Sequence, residues 1–219
     1  DTTKSKDSYE NILSSFANKE ADILIGTQMI VKGHDFPNVT LVGILDADMS
    51  LHFSDYRSGE RTFQLLTQVA GRCGRAEKSG KVVLQTYSPD NLVLNLAIRY
   101  DYEGFYSHEV SLRRATGFPP FADIVRVLVK SSNEEKAIEC TKAVFNEISE
   151  VYNREKSKFK FFGCMKAPLK KIENQYRFQV LMRIESKNKS IIDEIFYKTV
   201  KYNTGVTSLS FEINPNNLT

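Results

Sequence analysis

Residues 8–18, SYENILSSFAN, set Tyr9, Ile12, Leu13 and Phe16 at helical spacing, which predicts a helix with one apolar stripe. ADILIGT and TLVGILDAD follow as continuous apolar runs closed by polar residues, the pattern of short buried strands. Between them QMIVKGHDFPNV reads as a loop marked by Gly33 and Pro37. RSGERTFQLLTQVA returns to helical spacing, with Phe63, Leu66 and Val69 or Ala70 on one face. KVVLQTYS is a third strand, and PDNLVLNLAIRY and GFYSHEVSLRRA are two more helices. Strands alternating with helices predict a parallel sheet covered by helices. Ligand-binding loops of such sheets gather at the carboxyl ends of the strands, where GT follows ADILI and DAD follows LVGIL.

At ATGFPPFA paired prolines interrupt regular structure. The order beyond is strand (DIVRVLVKS), long helix (NEEKAIECTKAVFNEISEVYN), two strands (KFKFFGCM, YRFQVLMRIE), helix (KSIIDEIFYKTV) and strand (TSLSFEI). That is the split βαβ order of an α+β layer. The expected organisation is therefore an α/β unit over residues 1–117 and a smaller α+β unit over residues 118–219. DTTKSKDSYENILSSF opens with no strand before its first helix, so the chain reads as cut from something longer.

Composition changes this picture little: 41% hydrophobic and 26% charged residues suit a globular chain of 219 residues. The longest apolar runs are too short to cross a bilayer, and no cationic-then-apolar leader opens the chain, so no membrane association and a cytoplasmic location are expected. Cys73, Cys140 and Cys164 are odd in number and far apart, as in a reducing compartment; His34, His52 and His108 are equally scattered, so no metal is assigned to this chain. Charge is uneven. Residues 1–117 carry 13 basic and 15 acidic side chains, residues 118–219 carry 17 and 12, so the second unit is the one suited to a polyanion.

QVAGRCGR, residues 68–75, is the densest chemistry in the chain. On a helix Gln68, Arg72 and Arg75 share a face, and Gly71 and Gly74 bare it for close approach. Two guanidiniums on one bare face suit the phosphates of a nucleotide; the bland alternative is a surface helix with solvated arginines. Asp46 and Asp48, in LDADMS, read as a strand-end pair that orders a loop rather than as metal ligands. Residues 154–171 hold seven basic side chains and one acid, with Phe159, Phe161 and Phe162 among them. On a strand Lys158 and Lys160 would share one face and Phe159 and Phe161 the other. The lysine face either follows a phosphate backbone or is simply solvated.

QVAGRCGRA resembles motif VI of superfamily-two helicases, and IGTQMIVKGHDFPNVTLVGILDAD resembles motif V as the PriA family of replication-restart helicases (primosomal protein N-prime) carries it. The likeness runs through SDYRSGERTFQLLTQVAGRCGRAEKSGKVVLQT, weakens at RRATGFPPF, and returns at the closing FEINPNN. It implies the second RecA-like lobe of an ATP-dependent 3′–5′ DNA helicase that recognises stalled forks and starts primosome assembly. It further implies Arg75 as an arginine finger, Arg72 as a second phosphate contact and Gln68 as a coupling residue. Gly33 and Asp35 would lie near the nucleotide sugar, and Thr27 would touch a phosphate of the tracked strand. Lys32 is either a DNA contact or solvated, and Asp35 can also be a loop cap.

A Walker A loop needs G-x-x-x-x-G-K-[ST]; GRAEKSGKV is one residue too long and ends in valine, and no DExH box occurs. The chain thus carries half of an ATPase site and is expected to be inactive alone. ATP and Mg²⁺ would be shared with a first lobe, and zinc would be bound only by the full-length protein. Expected partners are forked and single-stranded DNA, the single-stranded-DNA-binding protein and primosome proteins, with the chain a monomer. The competing readings are a non-enzymatic DNA- and protein-docking module, or another superfamily-two translocase.

Overall fold

The computed structural model describes residues 6–27, 30, 36, 38–53, 55–71 and 80–216. Two compact units account for it: Asp1–Phe53 with Arg57–Phe105, and Ser54–Tyr56 with Tyr106–Thr219.

The first unit contains α1 (Lys6–Ala17), β1 (Leu41–Ile44), a 3-10 turn (Met49–His52), α2 (Ser58–Ala70), β2 (Lys81–Leu84) and α3 (Leu92–Ile98). β1 and β2 pair in parallel, from Leu41 opposite Lys81 to Ile44 opposite Leu84. A parallel pair needs a crossover, and α2 is that crossover. Its apolar stripe buries Phe63 and Leu66 against Val93, Leu94 and Ala97 of α3, with Ile44 and Leu84 packed alongside. Phe105 completes this core, its ring stacked on Phe63 with centroids 4.3 Å apart. α3 starts where the Asn91 side chain accepts hydrogen bonds from the Val93 and Leu94 N–H groups, satisfying two of the donors a helix start leaves open.

ADILIGT departs from expectation. Residues 21–27 form no strand, and Ile23 and Ile25 are 77% and 87% exposed. A continuous apolar run becomes a buried strand only when a neighbour takes up its N–H and C=O groups. β1 has β2 as its partner, and among the described residues none pairs with 21–27.

α4 (Tyr102–Thr116) crosses the division between the units at Phe105. The second unit continues with β3 (Ala122–Ser131), α5 (Glu134–Arg154), β4 (Phe159–Ile172), β5 (Gln175–Glu185), α6 (Lys189–Thr199) and β6 (Ser208–Ile213). Its sheet has the order β4-β5-β3-β6 with every pair antiparallel. β5 lies between β3 and β4, the two strands that α5 connects, so the predicted split βαβ order is realised. The two-residue period of the strands sends Val125, Val127, Val180, Met182 and Ile184 to one face. There they meet Val144, Ile148 and Val151 of α5 and Ile191, Ile192 and Ile195 of α6. Each fully buried side chain of this size contributes roughly 1.5–3 kcal/mol. On the other face the Arg126 guanidinium bonds Glu212 of the neighbouring strand at 2.6 Å. After β6, Asn214 takes a positive φ of 48° and clamps β3: its N–H donates to the Ile124 carbonyl at 2.7 Å, and its side-chain oxygen accepts the Ile124 N–H at 2.9 Å.

The alternation expected for Lys158–Phe161 is corrected. Lys158 ends a 3-10 turn rather than lying in a strand, and Phe159 pairs with Ile184 while Phe161 pairs with Arg183. A bulge at Lys160 adds one residue and shifts the face assignment. Phe159 therefore joins the helix-side core, whereas Phe161 lies beneath the Arg183 guanidinium on the other side.

Candidate functional site

α2 gathers polar side chains on one face. With Phe63 and Leu66 turned inward, Arg61, Gln64 and Gln68 fall on the opposite face at helical spacing. They line a cavity of about 360 Å³ together with Ser50, Phe53 and Ser58. Thr62 fastens the preceding 3-10 turn to the helix, its hydroxyl lying 2.8 Å from Ser50 Oγ and donating to the Ser58 carbonyl at 2.8 Å. The helix ends at Ala70, and the Gly71 N–H still donates to the Thr67 carbonyl at 3.0 Å. Arg72 and Arg75 lie outside the described residues, as do Lys32, Gly33 and Asp35.

Thr27 is exposed, and its carbonyl accepts the Ile30 N–H at 3.1 Å, closing a turn after the apolar run. A Cβ at Gly26 would sit 2.7 Å from Ile30 Cγ2, so a side chain there would have to displace Ile30.

Asp46 and Asp48 part company. Asp46 adopts a positive φ of 49°, and its N–H donates to the Gln85 side chain at 3.2 Å. Asp48 is buried and accepts from the Thr86 hydroxyl and the Tyr87 N–H, both at 2.8 Å. The Tyr87 N–H, ahead of the Thr86 and Ser88 hydroxyls, holds its carboxyl below the usual carboxylate range. Asp48 thus braces the end of β2. Among the described residues no three His, Cys, Asp or Glu side chains gather around a point that could hold an ion.

In the second unit Lys158 and Lys160 converge on one carboxylate, Glu185, at 4.0 and 3.8 Å. Both are well exposed, so the ion pairs are weak and leave the ammonium groups available to an anion. The stem of Lys160 lies against Gly117, whose φ is +64° and where an added Cβ would sit 3.0 Å from Lys160 Cβ and Cγ.

Reading the sequence by motifs missed a column of alternating rings and guanidiniums beside these lysines. Tyr56 stacks flat on Phe118, centroids 5.1 Å apart and planes 9° from parallel, and the Arg113 guanidinium lies 5.0 Å from the Tyr56 ring centre. Arg183 lies over Phe118 at 4.5 Å and over Phe161 at 5.3 Å, and donates to the Thr116 carbonyl. Burial lowers the Arg183 pKa from its ordinary value, yet arginine stays charged at neutral pH. The only local signal was SDYR and GFPPF, aromatic residues beside arginine and proline 60 positions apart.

Residues 114–216 match the family described as primosomal protein N C-terminal domain, and residues 1–77 match the helicase conserved C-terminal domain, a RecA-like second lobe. Among curated proteins, the replication restart protein PriA of Bacillus subtilis (strain 168) is 44% identical over 183 residues, 84% of this chain and 22% of that protein. PriA of Rickettsia felis is 38% identical over 187 residues, covering 85% and 28%, and that of Synechocystis is 36% identical over 192, covering 88% and 23%. The chain therefore spans about a quarter of the length of these curated relatives. Two adjoining domain matches and relatives of one kind over most of its length place this chain in the PriA family, matching the C-terminal part of its members.

Proposed function

We propose that residues 1–117 serve as the second motor lobe, and residues 118–219 as the DNA- and partner-holding domain, of an ATP-dependent 3′–5′ helicase acting at stalled forks. The observation that supports it best is α2, a crossover helix with Gln68 on its open face, leading into the Gly71-Arg72-x-x-Arg75 stretch inside the helicase match. Gln68 lines an open cavity rather than the core, so its amide is free to meet a phosphate or a residue of a facing lobe. The chain's own part would be to neutralise charge. Arg75 would reach the terminal phosphate as the transition state forms, Arg72 would hold a second phosphate, and Gly33 and Asp35 would abut the sugar. When bound, ATP and Mg²⁺ supply the phosphoryl group, held by a first lobe with its own Walker loop. Thr27 and Lys32 would grip the tracked strand, and Lys158 and Lys160 the phosphates of forked DNA. In this reading the full-length protein is cytoplasmic, binds zinc outside this chain, and works with the single-stranded-DNA-binding protein and primosome proteins.

The test is DNA-stimulated ATP turnover of the full-length protein. Arg75→Ala should lower it by about 10³-fold, the scale of an arginine finger, with fork binding retained; Arg72→Ala should lower it less. Normal turnover with lost DNA binding would instead favour a docking module, the reading that the exposed Lys158–Lys160 pair supports.

A further inference from the structure

We infer that the cavity on the open face of α2 takes one nucleotide of the tracked DNA strand, its base stacked on Phe53, an inference that deepens the motor reading above and rests on it. Every described lining residue belongs to the first unit. Phe53 stands in the lining 61% exposed, although phenylalanine is among the residues most often buried. It is held there by its surroundings. Phe53 follows the 3-10 turn Met49–His52 in extended conformation, with φ −66° and ψ 133°. Asp48 is buried just before that turn, Leu51 packs against the core of Phe63 and Leu66, and Ser50 Oγ lies 2.8 Å from the buried Thr62 hydroxyl. The first unit thus fixes an apolar ring at an open cavity, where a flat ligand face would cover it.

The remaining lining suits the rest of a nucleotide. Gln64 and Gln68 lie one turn apart on α2. The Gln64 side-chain N–H donates to Glu60 at 3.3 Å, which leaves its side-chain oxygen to accept. Every nucleobase carries an N–H, on its ring or its amino group, so an acceptor there meets any of them, and an aromatic ring stacks on any of them. A strand sliding past requires that tolerance. Charge chooses between the two sources of a nucleotide. Among the described lining residues Arg61 is the only cation, and one positive charge matches the single negative charge of a phosphodiester. A free nucleoside triphosphate carries several negative charges and calls for a cradle of donors such as a Walker loop. The volume of about 360 Å³ lies at the lower end of ligand cavities, roughly 300–1,000 Å³, and suits one nucleotide.

The experiment places 5-iodouracil, which couples to a stacked aromatic ring under ultraviolet light, at successive positions in the single-stranded arm of a forked DNA. The fork is irradiated with the full-length protein, and the coupled peptide is identified by mass spectrometry. One position should couple to Phe53. The coupling should persist in Phe53→Tyr and vanish in Phe53→Leu. Phe53→Leu should also bind single-stranded oligothymidine about tenfold more weakly, the scale of one lost stacked base. Coupling to Phe53 at no position, or unchanged affinity in Phe53→Leu, would overturn the inference. Labelling of Phe53 by 8-azidoadenosine triphosphate in place of DNA would overturn it too, by giving the cavity to the free nucleotide. ATP turnover of the wild type separates the two readings. DNA-stimulated turnover without the coupling sinks this inference alone, whereas turnover that ignores DNA sinks the motor reading, and with it the tracked strand as occupant.

Discussion

Asp48 shows how one carboxylate holds a loop in place. Both oxygens are engaged, by the Thr86 hydroxyl and the Tyr87 N–H, and a buried backbone N–H left unmatched costs about as much as a lost hydrogen bond. Because its folded-state pKa is depressed, its contribution is fully present above the ordinary aspartate value and fades as pH falls through the folded one. Asp48→Asn should therefore lower the melting temperature at pH 7, and the gap to wild type should narrow as pH falls below the ordinary aspartate range; a gap independent of pH would show that the charge is not what matters. The pair at 46 and 48 was legible as a loop-ordering device. Which of the two does the bracing was not, because only the return of β2 beside β1 brings residues 85–87 to Asp48.

At the scale of elements, the second unit obeys its pattern closely. The alternating residues of β3 and β5 and the 3.6-residue stripe of α5 point to the same layer, so local periodicity and burial agree. Ile148 is fully buried between α5 and the sheet. Truncating it to alanine should cost about 2–5 kcal/mol, read as a shift in the denaturant midpoint of this chain at unchanged slope. A loss under 1 kcal/mol would mean the layer collapses to fill the gap. Two patterns misled. ADILIGT has the composition of a strand but lacks strand-pairing neighbours among the described residues, and the bulge at Lys160 breaks the alternation expected from Lys158 to Phe161. Both failures concern pairing, which depends on what lies alongside a segment and not on the segment itself.

The whole chain carries its positive excess in the second unit, and there Glu185 faces both Lys158 and Lys160. If those lysines meet DNA phosphates, binding releases condensed ions and the logarithm of the affinity falls linearly with that of the salt concentration. Replacing both by alanine should flatten that slope by about 1–2 units, while Glu185→Gln should tighten binding at every salt concentration. An unchanged slope in the double variant would place the DNA elsewhere on the molecule.

The α/β-then-α+β order and the helical faces of α2 and α5 were determined by sequence alone, since each rests on spacing within one segment. Tertiary structure decided that α2 turns Gln68 to an open cavity and Phe63 to the core. It also decided that two lysines share one glutamate, and that Tyr56 is stacked among residues numbered above 100. These contacts join positions 25 to 62 residues apart. No local period encodes them, and they exist only once strand pairing and helix packing have closed the loops between.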